Sequence, residues 1–283
     1  MRLVDDEGGK RWMVSYSGLD RFRSCPEKYR AVMAGEVVDM PGEEAFRGIF
    51  AHAACAAHIE RNVGTKRLAD PLSVIAEAAH AEIDNYASSG LEIPWTTTTL
   101  YAAEELYDVW RVKARPKLPD GDLLAERKFE FDFGLTSQGL PVHSRGVIDV
   151  VALEACILVD WKFSGATHWT REWWKHDRYD HQPTLYIAAA ETMTGIEMEH
   201  WEFYYAIVNT KDSTVDIRPA SKRDHADLGR LRREVNALAT LCETNPDGPW
   251  PMIPNDWHCS PKRCRAWDQC MGSFGAPAWA LSK

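Results

Sequence analysis

Apolar residues recur at three- and four-residue spacing through EEAFRGIFAHAACAAHIE (43–60), PLSVIAEAAHAEIDNYA (71–87) and TLYAAEELYDVWRVKAR (99–115). That is the period of helices burying one stripe. Ahead of them, Ser17 is placed to cap a short helix through Arg23, and Pro26 suits the first turn of the next helix, EKYRAVM. From Leu123 the period changes to two. LLAERKFEFDF alternates, VHSRGVIDVVAL follows the turn-forming SQGLP, and ILVDWKF follows a very short connection. These segments predict antiparallel strands of a central sheet. HQPTLYIAAAETM then predicts a helix, HWEFYYAIV a strand, and RDHADLGRLRREVNALATLC a long amphipathic helix. From Asn245 the chain is rich in Pro, Trp and Cys and loses its period, so something besides a hydrophobic core must hold this tail.

The pattern shows no internal repeat, low-complexity stretch or long linker, which predicts a single domain over 1–283 in three parts. These are a mainly helical part (15–118), a part built of the sheet and its helices (119–243), and a cysteine-rich tail (244–283). Composition narrows the partners. The net charge of −9 means that any nucleic-acid site is a local basic patch on an acidic body. No apolar run approaches the roughly 18 residues that span a bilayer, so no membrane partner is expected. The first residues are too acidic and polar for a secretory signal, and with seven cysteines this points to a reducing, cytoplasmic setting.

The chemistry concentrates in three places. In ILVDWKF, Asp160 and Lys162 share one strand face, while Ile157, Val159 and Trp161 share the other. A hairpin symmetric about Glu154 and Ala155 sets Asp149 opposite Asp160, with Cβ atoms roughly 4.5–5.5 Å apart. Two carboxylates that close repel by about 4 kcal/mol at an effective dielectric near 20. One acid must be protonated, or cations must neutralise the pair, or a divalent ion must sit between them; carboxylate oxygens suit Mg²⁺ or Mn²⁺. Lys162 could offset one charge or steady a developing one. Glu126 and Lys128 repeat the acid-x-Lys pattern, which shows how little the tripeptide says alone, and Glu126 is a further candidate acid. His52, four residues after Gly48, lies on a helix of small residues; it reads either as a hydrogen-bonded core residue or as a ligand. Gln182 and Tyr186, four apart, share a helix face.

Among the cysteines, Cys55, Cys156 and Cys242 sit in apolar segments and read as core. Cys259, Cys264 and Cys270 form a C-x4-C-x5-C cluster in an aperiodic tail, and Cys25 lies far upstream. Four thiolates bind Zn²⁺ or an iron–sulfur cluster.

In their order these motifs resemble the RecB-like branch of the PD-(D/E)XK nucleases, in particular its iron–sulfur exonucleases of CRISPR-associated and phage type. The matching segments are SYSGLDRFRSCPEKYR, GIFAH, GVIDV, VDWK, QPTLY and the last three cysteines. The resemblance implies a restriction-endonuclease-like α/β fold: a mixed central sheet flanked by helices, an N-terminal helical region and a cysteine-ligated tail. It implies a metal-dependent exonuclease acting on single-stranded or duplex DNA ends, in recombination, repair or CRISPR adaptation, with protein partners from those complexes. His52, Asp149 and Asp160 would hold Mg²⁺ or Mn²⁺, Lys162 would be the catalytic lysine, and Gln182 and Tyr186 would face substrate. Cys25, Cys259, Cys264 and Cys270 would hold a [4Fe–4S] cluster. Substrate grip would come from Arg21, Arg23, Arg145, Lys262, Arg263 and Arg265. The sequence departs from the pattern in its first cysteine gap of four and in Phe163 after the lysine. Two other classes remain open here: a non-catalytic DNA-binding or assembly subunit, and a zinc-stapled structural protein.

Overall fold

Ser15 starts the first helix. Its extended backbone and a side chain accepting from the Gly18 N–H at 3.1 Å satisfy an orphan donor of α1 (Tyr16–Ser24), so the cap is Ser15 rather than the expected Ser17. Both serines have the right chemistry, and only the backbone conformation decides between them. Pro26 opens α2 (Pro26–Met33) as expected, where its missing N–H costs nothing. The remaining helices are α3 (Glu43–Glu60), α4 (Pro71–Ala87), α5 (Thr97–Lys113), α6 (Gln182–Thr194) and α7 (His225–Thr244). The strands are β1 (Arg2–Asp6), β2 (Gly9–Val14), β3 (Leu123–Leu135), β4 (Pro141–Ala152), β5 (Ile157–Ser164), β6 (Glu202–Asn209) and β7 (Val215–Pro219). This computed structural model describes residues 1–6, 9–37, 42–62, 64, 66–87, 95–119, 121–164, 180–209, 211–251, 259, 264, 266–268 and 270. The fold is mixed α/β, with a mixed sheet and helices around it. Among the described residues no helix is long and apolar enough to cross a membrane.

The backbone divides into two compact units, with β3 and β4 running through both. One comprises Pro41–Phe129 and Val147–His225. Its strands run β4–β5–β6–β7: antiparallel, then parallel, then antiparallel. One apolar cluster holds it, joining Phe46, Phe50 and Ala54 of α3 to Tyr107 and Trp110 of α5, and both to Val150, Val159, Trp161 and Val208 of the sheet. The alanines of α3 keep it close to its neighbours, and Trp110 meets Trp161 edge-on at 5.3 Å. Of the three cysteines expected in the core, Cys55 is fully buried. Cys156 is not: it stands half-exposed in the β4–β5 turn at φ +52, because an alternating pattern does not mark where a tight turn interrupts it. Cys242 is half-buried on α7.

The other unit comprises Met1–Met40, Glu130–Gly146 and Ala226–Lys283. It carries the β1–β2 hairpin and the parallel pairing of β2 with β4 at Trp12–Val142. Its described tail, Asn245–Pro251, is anchored by ordinary packing and one buried ion pair. Trp250 packs against Phe22 and Tyr29 at 6.3 and 6.4 Å. Its N–H donates to Glu27 Oε2 at 2.7 Å, and Glu27 Oε1 receives Arg30 Nε at 3.0 Å and Nη2 at 2.8 Å. Gly248, at φ +77, is required here: a Cβ would lie 2.6 Å from Arg30 Cδ.

Glu27 is 1% exposed, and removing it strands a buried guanidinium and a buried N–H. Glu27→Ala is expected to cost about 3–5 kcal/mol in urea unfolding. Glu36→Ala, which removes only the outer partner of Arg30, is expected to cost less than about 1 kcal/mol. Equal losses would mean that the inner carboxylate is not the anchor.

Candidate active site

The connection between β4 and β5 is the residue stretch 153–156, too short to allow any register but one. The pairing observed, Ala152–Ile157, Val151–Leu158 and Val150–Val159, is the expected one. Continued by one step it brings Asp149 beside Asp160. There the Asp149 Oδ2 accepts the Trp161 N–H at 2.7 Å, so a side chain does the work of a ladder carbonyl. Val159 and Trp161 enter the apolar cluster, which turns Asp160 and Lys162 to the opposite face. Lys162 Nζ lies 2.7 Å from Asp160 Oδ2 and donates to Gln182 Oε1 at 3.1 Å; Gln182 Nε2 donates in turn to Asp160 Oδ1. Three side chains from two elements close a ring of polar contacts.

Gln182 is held at the first turn of α6. Its N–H donates to Asp180 Oδ1 at 2.9 Å, and Asp180 Oδ2 accepts from the Tyr205 hydroxyl of β6. Pro183 follows in the first turn, and Gly195 ends the helix at φ +73. One turn on from Gln182, Tyr186 bonds its side chain, and burial pushes the Tyr186 hydroxyl well up, so it stays a donor.

A second set adjoins this ring. His52, on α3, has Nδ1 3.5 Å from Asp149 Oδ2 and meets the Phe163 ring edge-on at 5.2 Å. Gly48 faces β5 one turn before His52; a Cβ there would meet Phe163 at 3.6 Å, an ordinary contact, so the approach of α3 to β5 does not require glycine. Glu126 reaches the same place by a backbone device. It lies inside β3 yet has φ +47, a left-handed conformation costing about 1–3 kcal/mol for a residue with a Cβ. Ligand atoms of His52, Glu126 and Asp149 lie within 4.8 Å of one another.

Burial sets the electrostatics. It is the main reason the Asp149 and Asp160 carboxyls rise to about 6, although Lys162 pulls both down. Glu126 rises to about 7 by burial, reinforced by Asp149, Glu60 and Asp160. Burial lowers His52 to about 4, leaving a neutral imidazole with a lone pair to give. For Lys162 burial is the largest influence and opposes the charge, but Asp160, Asp149 and Asp180 together outweigh it and the ammonium is held above its usual range. Carboxylates beside a neutral imidazole suit a hard divalent ion such as Mg²⁺ or Mn²⁺.

The expected ligand trio was His52, Asp149 and Asp160. The structure brings Glu126 to His52 and Asp149, while the oxygens of Asp160 engage Lys162 and Gln182. Asp180, which sequence reasoning passed over, orients Gln182; its only signal was an acid two residues before a Gln-Pro helix start. Of the expected basic residues, Arg23 lies 3.6 Å from Glu234, Arg145 donates to Glu130 at 2.7 Å, and Arg21 lines a cavity at the start of α1. Lys262, Arg263 and Arg265 lie outside the described residues. In the unit of the tail, Cys25 precedes α2, and the buried Cys270 thiol rises to about 12, mainly through burial and then through Cys25, Glu27, Cys259 and Cys264. The four cysteines thus share one neighbourhood.

The sequence model of the PD-(D/E)XK nuclease superfamily matches residues 13–271, and the chain belongs to that superfamily. Among solved structures, the chain is similar to the "putative exonuclease" of Eubacterium rectale, at 15% identity and TM-score 0.51 over 87% of this chain and 86% of that one. It is also similar to SSO0001, at 13% identity and TM-score 0.43 over 97% of this chain and 88% of that one. The first of these likenesses bears on the fold alone. No curated protein matches.

Raised carboxyl values mean that the metal-free fold holds protons the unfolded chain releases near pH 4. Asp149, Asp160 and Glu126 therefore contribute a loss of stability as pH rises through about 6 to about 7. His52 contributes with the opposite sign, losing stability as pH falls from 6.5 to about 4. A divalent ion must displace the carboxyl protons, so Mn²⁺ is expected to bind roughly 10–100-fold tighter at about pH 7.5 than at about pH 5.5. Calorimetric titration at the two pH values checks this, and Asp149→Asn is expected to remove most of the binding. A pH-independent affinity would detach the ion from these carboxylates.

Proposed function

We propose that this member of the PD-(D/E)XK nuclease superfamily is a metal-dependent exonuclease that hydrolyses phosphodiester bonds at DNA ends, single-stranded ends foremost. One observation carries the hydrolytic reading: the ring of Asp160, Lys162 and Gln182 abuts the donor set of His52, Glu126 and Asp149. Such a cluster of acids, with Asp160 buried among them, is costly in the bare protein and makes chemical sense beside a cation. The end-directed reading and the setting in recombination, repair or CRISPR adaptation rest on the RecB-like order of the motifs.

His52, Glu126 and Asp149 would hold Mg²⁺ or Mn²⁺, with Asp160 alongside. A bound ion supplies a Lewis acid toward the scissile phosphate and a more acidic water. The other steps belong to the chain. Asp160 helps keep the Lys162 ammonium charged and fixes its position. Lys162 then positions a water or meets the extra negative charge that grows on the phosphate, an interaction strongest in the transition state. Gln182 fixes both partners, and Asp180 fixes Gln182. The Tyr186 hydroxyl, held protonated beside Gln182, offers a donor on the substrate side.

The proposal extends to the cysteines of the tail: Cys25, Cys259, Cys264 and Cys270 hold a [4Fe–4S] cluster that ties α2 to the end of the chain. Their convergence about Cys270 supports this.

Lys162→Ala is expected to slow Mn²⁺-dependent degradation of end-labelled single-stranded DNA by a factor on the order of 10²–10³ in protein that still folds, although its unfolding midpoint falls because the buried Asp160 loses its ammonium partner. Activity at the wild-type level would remove Lys162 from the chemistry, and cleavage of closed circles as fast as linear strands would remove the exonuclease reading. Anaerobically purified protein is expected to absorb near about 400 nm and to lose iron in Cys264→Ser. A colourless sample carrying zinc would replace the cluster by a zinc staple.

A further inference from the structure

In the unit that carries the tail, a cavity of about 310 Å³ opens at the start of α1. Its charged wall is Arg2, Arg21 and Arg145, the last also bonded to Glu130 behind it, and among the described residues no carboxylate lines the cavity itself, on a chain whose net charge is −9. Its lining also carries apolar surface, from Met13 and the exposed Met33. The first turn of α1 has no acidic residue, so the positive end of the helix dipole is not neutralised by its own side chains. At that turn Gly18 leaves room: a Cβ would sit 3.2 Å from Ser15 Oγ and 3.6 Å from the Tyr29 hydroxyl.

Tyr29 supplies the independent observation. It is 1% exposed and lines the cavity, yet its hydroxyl has no hydrogen-bond partner. Phe22 at 6.0 Å and Trp250 at 6.4 Å fix the ring, so the hydroxyl cannot swing to a protein acceptor. A buried donor left unpaired is costly, and a ligand oxygen in the cavity relieves it. Guanidinium groups, a helix start and a phenolic donor together ask for a phosphate. Apolar lining in a space near the lower end of the ~300–1,000 Å³ range for small-molecule sites suits one nucleoside beside it.

We infer that this cavity binds the phosphorylated terminal nucleotide of a nucleic-acid strand, with Arg2, Arg21, Arg145 and Tyr29 on the phosphate and Met13 and Met33 under the nucleoside. The identity of the polymer rests on the proposed function; the phosphate site itself does not. Arg21 and Arg145, two of six basic candidates from the sequence, acquire one shared task, and Tyr29 joins them.

Fluorescence anisotropy of the full chain without divalent metal tests this. The probes are single strands labelled at one end and carrying at the other a 5′-phosphate, a 3′-phosphate or a hydroxyl, with a deoxynucleoside monophosphate as competitor. A phosphorylated end is expected to bind at least tenfold tighter than the hydroxyl end. Arg21→Gln and Tyr29→Phe are each expected to cut that preference fivefold or more, while Tyr29→Phe keeps or raises the unfolding midpoint, because the hydroxyl it removes is unpaired. Equal affinity for phosphate and hydroxyl ends, or an undiminished preference in Tyr29→Phe, would overturn the site. A mononucleotide competing as well as the strand would overturn the strand-end assignment in favour of a free nucleotide. Because hydrolysis is not measured, a phosphate-selective but inactive protein would refute the nuclease proposal alone, and an active protein blind to end phosphates would refute this inference alone.

Discussion

The arrangement depends on a cost that cannot be avoided once β5 is a buried strand: a carboxylate in an apolar sheet needs a positive partner. Asp160 is 3% exposed, and water cannot screen it. A close ion pair in such surroundings is worth several kcal/mol at an effective dielectric near 20, the same order as the penalty for removing the charges from water. The Lys162 ammonium at 2.7 Å therefore offsets one negative charge, and only one. Asp149 and Glu126 remain, and burial drives both toward the protonated form. Oxygens of both and a His52 nitrogen lie within 4.8 Å of one another, a donor set that could hold a divalent ion as counter-charge.

That constraint explains why the surrounding elements look as they do. Trp161 fills the apolar face of β5 so that its neighbours in sequence must point away from it. Small residues on α3 bring an imidazole to the strands, and a polar first turn of α6 delivers Gln182 to the ring. Glu126 accepts a left-handed backbone within a strand, an expense repaid only if its carboxylate has something to hold.

How much of this was legible follows from the range of each interaction. The β4–β5 register could be counted from residues alone, because a four-residue turn and a period of two leave no freedom. Helices α3, α6 and α7 were equally plain, since their patterns extend over several turns. Strands β1, β2 and β7 were not foreseen; they have five or six residues and little burial, too short for alternation to stand out. The place of Glu126 was hidden for another reason. Nothing in ERKFEF announces a positive φ, so its direction was set by tertiary contacts. The anchoring of the tail by Glu27 and Arg30 joins residues more than two hundred positions apart, which no local pattern reports.

Comparison among the buried polar groups separates structure from chemistry. Glu27, Arg30, Glu36 and the Trp250 N–H satisfy one another, and His58 bonds the Tyr107 hydroxyl at 2.9 Å and the Gly64 carbonyl at 2.8 Å. Such closed networks ask for nothing further and serve to fix elements. The Tyr29 hydroxyl is as deeply buried, yet its capacity is unspent, and the Asp149 and Glu126 carboxyls are held toward the protonated form because the fold gives their charge no full counterpart. Selection for stability alone would favour phenylalanine at 29 and an apolar residue at 149. The polar groups persist at a cost to the bare fold, and each stands beside others of matching character: carboxyl oxygens and an imidazole in one unit, guanidinium groups in the other. An unspent buried group marks where a ligand completes the protein.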